Sequence, residues 1–282
     1  MWHLEQIPRQ LHVYWGGHRL SYLRYLTIHT FQMFNPDWKI CLHVPRVISD
    51  AAPAWPTFQQ KDSHVQHDYM DKVTADIQVH DFADYAFDDH AHEVHKSDFL
   101  RWKLLSEQGG VWSDMDIVYV RSMSNLVHNQ PHMADIDSVL CPLMPPRKHT
   151  VGFLMTSALN DFACWMHHRS RMQYDPAQYQ CMGSDILNDN FAGLEDFGRQ
   201  FPQHRFLFLD RNSIYAVTSK DLDRFYRPMA QPETKKLNSA GVIGFHWFGG
   251  HPHSQQFENA LTEHNRDTFD HFLGRIIQKV MT

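Results

Sequence analysis

The stretch Ser97–Val120 reads SDFLRWKLLSEQGGVWSDMDIVYV and contains the strongest structural signal in the chain. Its first half has the composition of a helix, Gly109-Gly110 is typical of a helix C-terminus, and the apolar residues that follow predict a strand. That strand ends in Asp114-Met115-Asp116. Residues i and i+2 of a strand lie on the same face, so the two carboxylates can share one divalent cation, directly or through water.

The Asp-x-Asp pattern alone does not identify a site, because it occurs three times, at Asp114/Asp116, Asp135/Asp137 and Asp221/Asp223. The second pair lies in polar sequence and is typical of a solvated turn, whereas the third suits a helix N-terminus. The first pair alone is embedded in apolar sequence, where two like charges are costly without a cation. Mg²⁺ and Mn²⁺ prefer oxygen ligands and keep positions open for substrate phosphates, so we predict a metal site at Asp114 and Asp116.

Asp98 and Arg101 fall at i and i+3 of the predicted helix, on the face that also carries Trp102. One interpretation is an ordinary ion pair on a half-exposed helix. The other places a carboxylate that can hold sugar hydroxyls, and a guanidinium that can hold phosphate or carboxylate oxygens, beside the metal.

Composition favours a globular protein and gives no sign of a nucleic-acid partner. The chain has 282 residues, 43% hydrophobic residues and a formal net charge of −6. Its four cysteines are scattered without a CxxC pair, which favours reduced thiols in the cytosol. The 22 histidines are interpreted mostly as surface residues. Neither a signal peptide nor an apolar run of bilayer length is seen, so we expect a cytoplasmic protein.

The apolar pattern predicts a chain that opens strand–helix–strand and continues as a mixed α/β domain whose second half is less regular. The predicted strands are Gln10–Trp15, Lys39–Val44, Ile77–Phe82, one within Val111–Val120, Ser138–Leu143, Val151–Ser157, Arg205–Leu209, Ile214–Val217 and Gly241–Trp247. The predicted helices begin at Ser21, span His90–Gln108, Leu159–Tyr174 and Cys181–Phe191, and occupy the tail from Asp267.

The run S-D-x-x-R-W-x-x-L-x-x-x-G-G-V-W-x-D-x-D over 97–116 resembles the DXD-containing sugar-transferase family. This family includes the family 32 glycosyltransferases, capsular-polysaccharide sugar transferases and, more distantly, the glucosylating clostridial toxins. The opening IPRQLHVYWGG (7–17) is similar to the family's first strand, and GFHW (244–247) is similar to its late His-Trp segment. Gly183-Ser184-Asp185 lies where the family often has a T-G-P-type segment near the acceptor, and Asp185 departs from that pattern.

The resemblance implies a GT-A (Rossmann-like) fold with a mixed, mostly parallel sheet flanked by helices, formed as one domain over residues 1–282. Residues 1–120 would bind the nucleotide sugar, and residues 121–282 would form the acceptor side. It also implies a role for each of ten residues. The implied metal ligands are Asp114, Asp116, His246 and His251; the implied donor-binding residues are Trp15, Gly16, Asp98, Arg101, Asp114 and Trp247; the implied catalytic residues are Asp98, Arg101, Asp114 and Asp185.

We therefore expect a retaining glycosyltransferase that uses Mn²⁺ or Mg²⁺ and a UDP- or GDP-sugar. A histidine ligand would favour Mn²⁺. The first acceptor expected is a glycan or lipid-linked sugar in surface polysaccharide biosynthesis, with a peripheral position at the inner membrane face. A hydroxylated base in phage DNA, modified in the host cytoplasm, is the second. A nucleotide-sugar phosphohydrolase and a catalytically silent sugar-nucleotide-binding protein are alternatives from other classes.

Overall fold

Seven strands form one mixed sheet in the part of the chain that the computed structural model describes, residues 5–50, 65, 67–127, 135–143, 149–228 and 241–282. Their order across the sheet is β3-β2-β1-β4-β7-β6-β8. These strands are β1 (Gln10–Tyr14), β2 (Lys39–Pro45), β3 (Asp76–His80), β4 (Gly110–Ser113), β6 (Ser138–Leu140), β7 (Phe153–Thr156) and β8 (Phe206–Phe208). A separate antiparallel pair joins β5 (Ile117–Tyr119) to β9 (Gly244–His246).

The predicted fold class is confirmed. Strands β3, β2, β1 and β4 run parallel, as do β6 and β8, and only β7 is antiparallel to its two neighbours. Successive side chains of β4 and β7 enter different cores: Val111 and Met155 pack on one face of the sheet, Trp112 and Leu154 on the other. The strands read as continuous apolar runs because both faces are covered.

Helices supply that cover. In the described residues they are α1 (Tyr22–Phe34), α2 (Glu93–Glu107), α3 (Asp161–Met172), α4 (Ser184–Asn190), α5 (Leu194–Gln200), α6 (Pro252–Ala260) and α7 (Phe272–Met281). The Ser21 hydroxyl caps α1 as predicted, accepting the Arg24 N–H at 3.2 Å. None of the described helices is both long and apolar enough to cross a membrane.

Two sequence predictions differ from the structure, and two helices were missed. The segment 111–120 is not one strand: β4 ends at Ser113, the chain turns through the acidic pair, and β5 joins another sheet. Residues 214–217 are buried but form no strand, because an apolar run of four residues does not by itself distinguish strand from packed loop. The helices α5 and α6 were not predicted, since short helices carry little periodicity.

The histidines divide evenly by exposure. Of the 18 in the described residues, six are exposed, six are half-buried and six are buried, so two thirds of them reach the surface at least in part, as the sequence interpretation held. Three of the buried ones form a row across β1, β2 and β3. His12 Nδ1 lies 2.9 Å from His43 Nε2, and His43 Nδ1 lies 2.8 Å from His80 Nε2.

The two ends of this histidine row set the direction of its hydrogen bonds. His12 Nε2 lies 3.1 Å from the carbonyl oxygen of Gly109, which can only accept, so His12 donates from Nε2. Each neutral ring has one N–H, so His43 and His80 donate from Nε2 in turn, and the Tyr85 hydroxyl donates to His80 Nδ1 at 2.9 Å. The row is fully paired only while all three rings are neutral.

Acid should therefore destabilise this protein through the histidine row. Burial lowers the pKa of His12 to about 4 and of His43 to about 2, and it also lowers the pKa of His80. Below pH of about 6.5 the unfolded chain binds protons that the folded chain excludes, so the free energy of unfolding falls as pH falls, by about 1.4 kcal/mol per pH unit for each such group. Urea unfolding between pH 7.5 and 5.5 measures the slope.

The variant His43→Gln removes one buried neutral imidazole, and its slope should be shallower than that of the parent protein. His264→Gln changes a histidine whose side chain is 84% exposed and is the matched control, with an expected slope equal to the parent's. A His43→Gln slope equal to the parent's would show that the row does not control acid stability.

Candidate metal centre

Asp114, Asp116 and His246 bring one ligand atom each to within 4.8 Å of one another. The topology causes this convergence. Asp114 follows β4 directly, Asp116 precedes β5, and His246 is the residue of β9 that pairs with Ile117 of β5. The break between β4 and β5 thus places the acidic pair against the end of β9.

Asp116 is the most buried carboxylate of this cluster, at 8% exposure. Its Oδ2 accepts the N–H of Gly249 at 2.8 Å, and its backbone oxygen accepts the N–H of Trp247 at 2.9 Å. Burial alone would raise the pKa of Asp116, but His246, Arg24 and the Gly249 N–H outweigh it and lower that pKa to about 2. Asp116 is therefore an anion at any working pH.

The donor set fits a divalent cation. Asp116 Oδ1 is buried and has no hydrogen-bond partner among the described residues, although His246 Nε2 lies only 3.0 Å away. A buried carboxylate oxygen without a partner is costly, and a cation between it and the imidazole would satisfy both atoms. Two carboxylates with one imidazole suit Mn²⁺ better than Mg²⁺. His246 Nδ1 accepts the Phe248 N–H at 3.3 Å, so a cation at Nε2 must displace the proton there.

Asp114 is the exposed member of the cluster, and Arg101 fixes its orientation. Its side chain is 33% exposed, and its Oδ1 accepts hydrogen bonds of 3.0 Å from both Arg101 Nη2 and Trp112 Nε1. Arg101 also donates to Asp98, and burial raises the pKa of Asp98 despite that contact. The guanidinium of Arg101 is thus shared between two carboxylates, which leaves Asp114 Oδ2 free to face the cluster.

Gly152 forms the wall of the cluster on the side of β7. Its carbonyl oxygen accepts the N–H of Asp114 at 2.8 Å. A Cβ atom at Gly152 would lie 2.8 Å from Asp114 Oδ2, 3.0 Å from the Tyr215 hydroxyl and 3.3 Å from His246 Nε2. Three polar atoms therefore converge where only a glycine leaves room. Neither Gly152 nor Tyr215 belongs to a motif that would select it from the sequence, and both lie far from the acidic pair along the chain.

Arg24 links the acidic turn to the segment after β9. Its guanidinium lies 5.3 Å from the ring centre of Trp15 and 4.7 Å from that of Trp247, both within the reach of about 6 Å over which cation–π attraction acts. Its Nε pairs with Glu258 at 3.0 Å, and its Nη1 donates to the carbonyl of Met115 at 3.4 Å. Arg24 was not selected from the sequence, where an arginine on an amphipathic helix is commonplace.

The predicted donor-binding residues near β1 are close to this site. Strands β1 and β4 are parallel neighbours, so the residues after each lie at the same edge of the sheet. Trp15 is half-buried there, and its indole N–H has no partner among the described residues. Gly16 packs against Glu93, whose carboxylate a Cβ at position 16 would meet at 2.0 Å. By contrast, the side chain of Trp247 is fully buried in the core.

Two other predicted site residues lie outside the cluster. His251 caps α6, with its Nδ1 accepting the His253 N–H at 3.3 Å, and it is not one of the three clustered ligands. Asp185 lies half-buried in the first turn of α4, and burial raises its pKa. The adjacent Gly183 faces Asp98, since a Cβ there would lie 3.0 Å from Asp98 Oδ2.

Residues 24–133 match the family model described as "Glycosyltransferase sugar-binding region containing DXD motif". The matched segment holds most of α1, all of α2 and the acidic turn, so the resemblance drawn from the sequence is confirmed over this part of the chain. The mixed sheet agrees with the GT-A-type fold that the resemblance implies. No curated protein matches this chain in sequence.

Several solved glycosyltransferases are distantly similar in structure. PaToxG glycosyltransferase is 14% identical, with 97% of this chain and 86% of that chain covered and a TM-score of 0.47. The galactosyltransferase LgtC, solved with donor and acceptor sugar analogues, is 12% identical, with coverage of 92% and 99% and a TM-score of 0.44. The UDP-bound glycosyltransferase domain of the YGT toxin is 12% identical, with coverage of 98% and 76% and a TM-score of 0.38. These values are too low to transfer a function.

The convergence at Gly152 predicts that an added methyl group blocks the metal centre. We expect Gly152→Ala to weaken Mn²⁺ binding at least about tenfold, about 1.4 kcal/mol, because its Cβ displaces Asp114 Oδ2 or His246 Nε2. Calorimetric titration of the chelator-treated protein with Mn²⁺ measures the change.

Gly198→Ala is the control, since a Cβ there meets nothing within 4 Å, and its Mn²⁺ affinity should equal the parent's. Circular dichroism confirms that both variants fold. Equal Mn²⁺ binding by parent and Gly152→Ala would place the cation elsewhere.

Proposed function

We propose that this protein is a metal-dependent glycosyltransferase that transfers a sugar from a nucleotide-diphosphate sugar to a hydroxyl group. The observation that carries the proposal is the cluster of Asp114, Asp116 and His246 at the end of the DXD-matching segment. A divalent cation bound there would supply Lewis-acid stabilisation of the leaving diphosphate.

The residues of the chain prepare this centre in three ways. Asp116 is kept anionic by His246, Arg24 and the Gly249 N–H, so its negative charge does not depend on the cation. Asp114 is oriented by Arg101 and remains partly exposed, so a donor can reach it. Binding and orientation of the donor can lower the barrier without a strong protein nucleophile, because the transferred sugar develops oxocarbenium character.

The donor we propose is a UDP- or GDP-sugar, with Mn²⁺ as the preferred cation. The imidazole of His246 supports Mn²⁺ over Mg²⁺. The position of Trp15 at the carboxyl end of β1, with an unpaired indole N–H, supports a contact with the nucleotide. Asp98 and Arg101 are both almost fully buried and are paired with each other. We therefore propose that they orient Asp114, and that any contact they make with the sugar is made while they remain paired.

The acceptor we propose is a hydroxyl of a glycan or lipid-linked sugar, with retention of the anomeric configuration. The net charge of −6 supports this acceptor class over a polyanion such as DNA, whose binding normally requires a positive surface. With this acceptor class we propose a role in surface polysaccharide biosynthesis.

Asp116→Asn tests the assignment, because it keeps the shape of the side chain and removes its charge. In the presence of Mn²⁺ and a panel of UDP- and GDP-sugars, the parent should release nucleotide diphosphate slowly from one donor even without an acceptor. The variant should lose that turnover by about 100-fold or more, since the cation supplies several kcal/mol of transition-state stabilisation.

Asp223→Asn is the matched control, because it alters another Asp-x-Asp copy at an exposed position and should turn over the donor like the parent. Full activity of Asp116→Asn would contradict the assignment of the metal site. If the parent hydrolyses the donor but transfers its sugar to none of a panel of sugar acceptors, the protein would instead be a nucleotide-sugar phosphohydrolase.

A further inference from the structure

We propose that the Tyr215 hydroxyl is a further substrate-binding group of this centre, which donates a hydrogen bond to a diphosphate oxygen of the donor. This inference rests on the proposed function and adds a residue to its site. Tyr215 lies outside the DXD-matching segment, in a stretch that forms neither helix nor strand.

The position of the hydroxyl is fixed by two neighbours of the metal centre. A Cβ at Gly152 would lie 3.0 Å from the Tyr215 hydroxyl and 2.8 Å from Asp114 Oδ2, so both oxygens face the same small space. The ring of Tyr215 packs beside that of His246, with centres 5.1 Å apart. The Tyr215 side chain is only 1% exposed, so it cannot rotate out into solvent. A substrate oxygen that binds between Asp114 and His246 would therefore contact the hydroxyl of Tyr215.

The phenol is suited to donate to an anion. A tyrosine hydroxyl is protonated at neutral pH, and burial raises the pKa of Tyr215 further. The two carboxylates of the centre can only accept hydrogen bonds, so neither can donate one to the diphosphate of the substrate. The Tyr215 hydroxyl, which lies beside them, can. A hydrogen bond to a charged oxygen is about twice as strong as one between neutral groups.

The contact with Thr150 does not hold the phenol proton away from the centre. Thr150 Oγ1 lies 2.9 Å from the Tyr215 hydroxyl and 3.1 Å from the carbonyl oxygen of Cys141. It has one proton and can direct it to either oxygen. When Thr150 donates to Tyr215, the phenol proton is free to point toward Asp114 and any ligand bound there.

The test compares Tyr215→Phe with Thr150→Val, which removes the same Thr–Tyr hydrogen bond but keeps the phenol. Titration calorimetry measures the affinity of each protein for Mn²⁺ alone, and for UDP and GDP at saturating Mn²⁺. We expect Tyr215→Phe to bind Mn²⁺ within about threefold of the parent and the nucleotide diphosphate about tenfold or more weakly. Thr150→Val should bind both within about threefold of the parent, with a lower melting temperature as the sign of its lost hydrogen bond.

Three results would overturn the inference while the proposed function stands: unchanged nucleotide affinity in Tyr215→Phe, equal losses of nucleotide affinity in both variants, or loss of Mn²⁺ binding in Tyr215→Phe. The second would show that the phenol acts only through packing, and the third that it acts on the cation. If the parent binds neither nucleotide in the presence of Mn²⁺, the proposed function fails and this inference fails with it.

Discussion

The electrostatic cost of two neighbouring carboxylates at the break between β4 and β5 is the constraint on which the site depends. Removing a carboxylate from water costs several kcal/mol unless opposite charge or hydrogen-bond donors replace the solvent. Asp116 obtains them from His246, the Gly249 N–H and the nearby charge of Arg24, and Asp114 obtains them from Arg101. Each of these partners comes from a different element, so the acidic turn joins α1, α2, β9 and the loop that follows β9.

One oxygen of the acidic pair lacks a hydrogen-bond donor among the described residues, and this oxygen can serve as a metal ligand. Asp116 Oδ1 remains without a hydrogen bond although it is buried next to an imidazole nitrogen. A purely structural pair would be expected to close such a gap, because unsatisfied buried oxygens are rare. Asp114 Oδ2, Asp116 Oδ1 and His246 Nε2 instead face a shared space beside Gly152 and Tyr215, where a cation can take the place of the Nε2 proton. That arrangement is the physical basis for a cation in the centre.

Local sequence predicted the features that depend on local rules. The Ser21 cap, the helix ahead of Gly109-Gly110 and the parallel opening strands follow from capping, glycine conformation and periodicity; both glycines do have positive φ, 66° and 101°. The break after Ser113 was not predicted, since apolar residues on both sides of the acidic pair look like one strand. The two strands are separated because they pair with different, distant strands: β4 pairs with β1 and β7, whereas β5 pairs with β9.

The residues of the site also divide into those that local sequence identifies and those that only long-range packing brings together. Asp114 and Asp116 were selected because their motif has a chemical rationale, and His246 because its segment resembles the late His-Trp segment of the family. The fold brings the three residues together. Gly152, Tyr215 and Arg24 carry no such motif, and their relation to the centre arises only when β7, the 214–217 loop and α1 pack around it. His12, His43 and His80 were missed for a related reason: neighbouring strands align them, and no spacing along the chain reveals that.

The central claim is that Asp114, Asp116 and His246 together bind one divalent cation. Electron spin echo modulation of the Mn²⁺-loaded protein tests it directly, because it detects a nitrogen ligand on the ion itself. We expect the signal of one histidine nitrogen in the parent protein and its loss in His246→Gln. A Mn²⁺ spectrum without nitrogen coupling in the parent, or with the same coupling in His246→Gln, would contradict it.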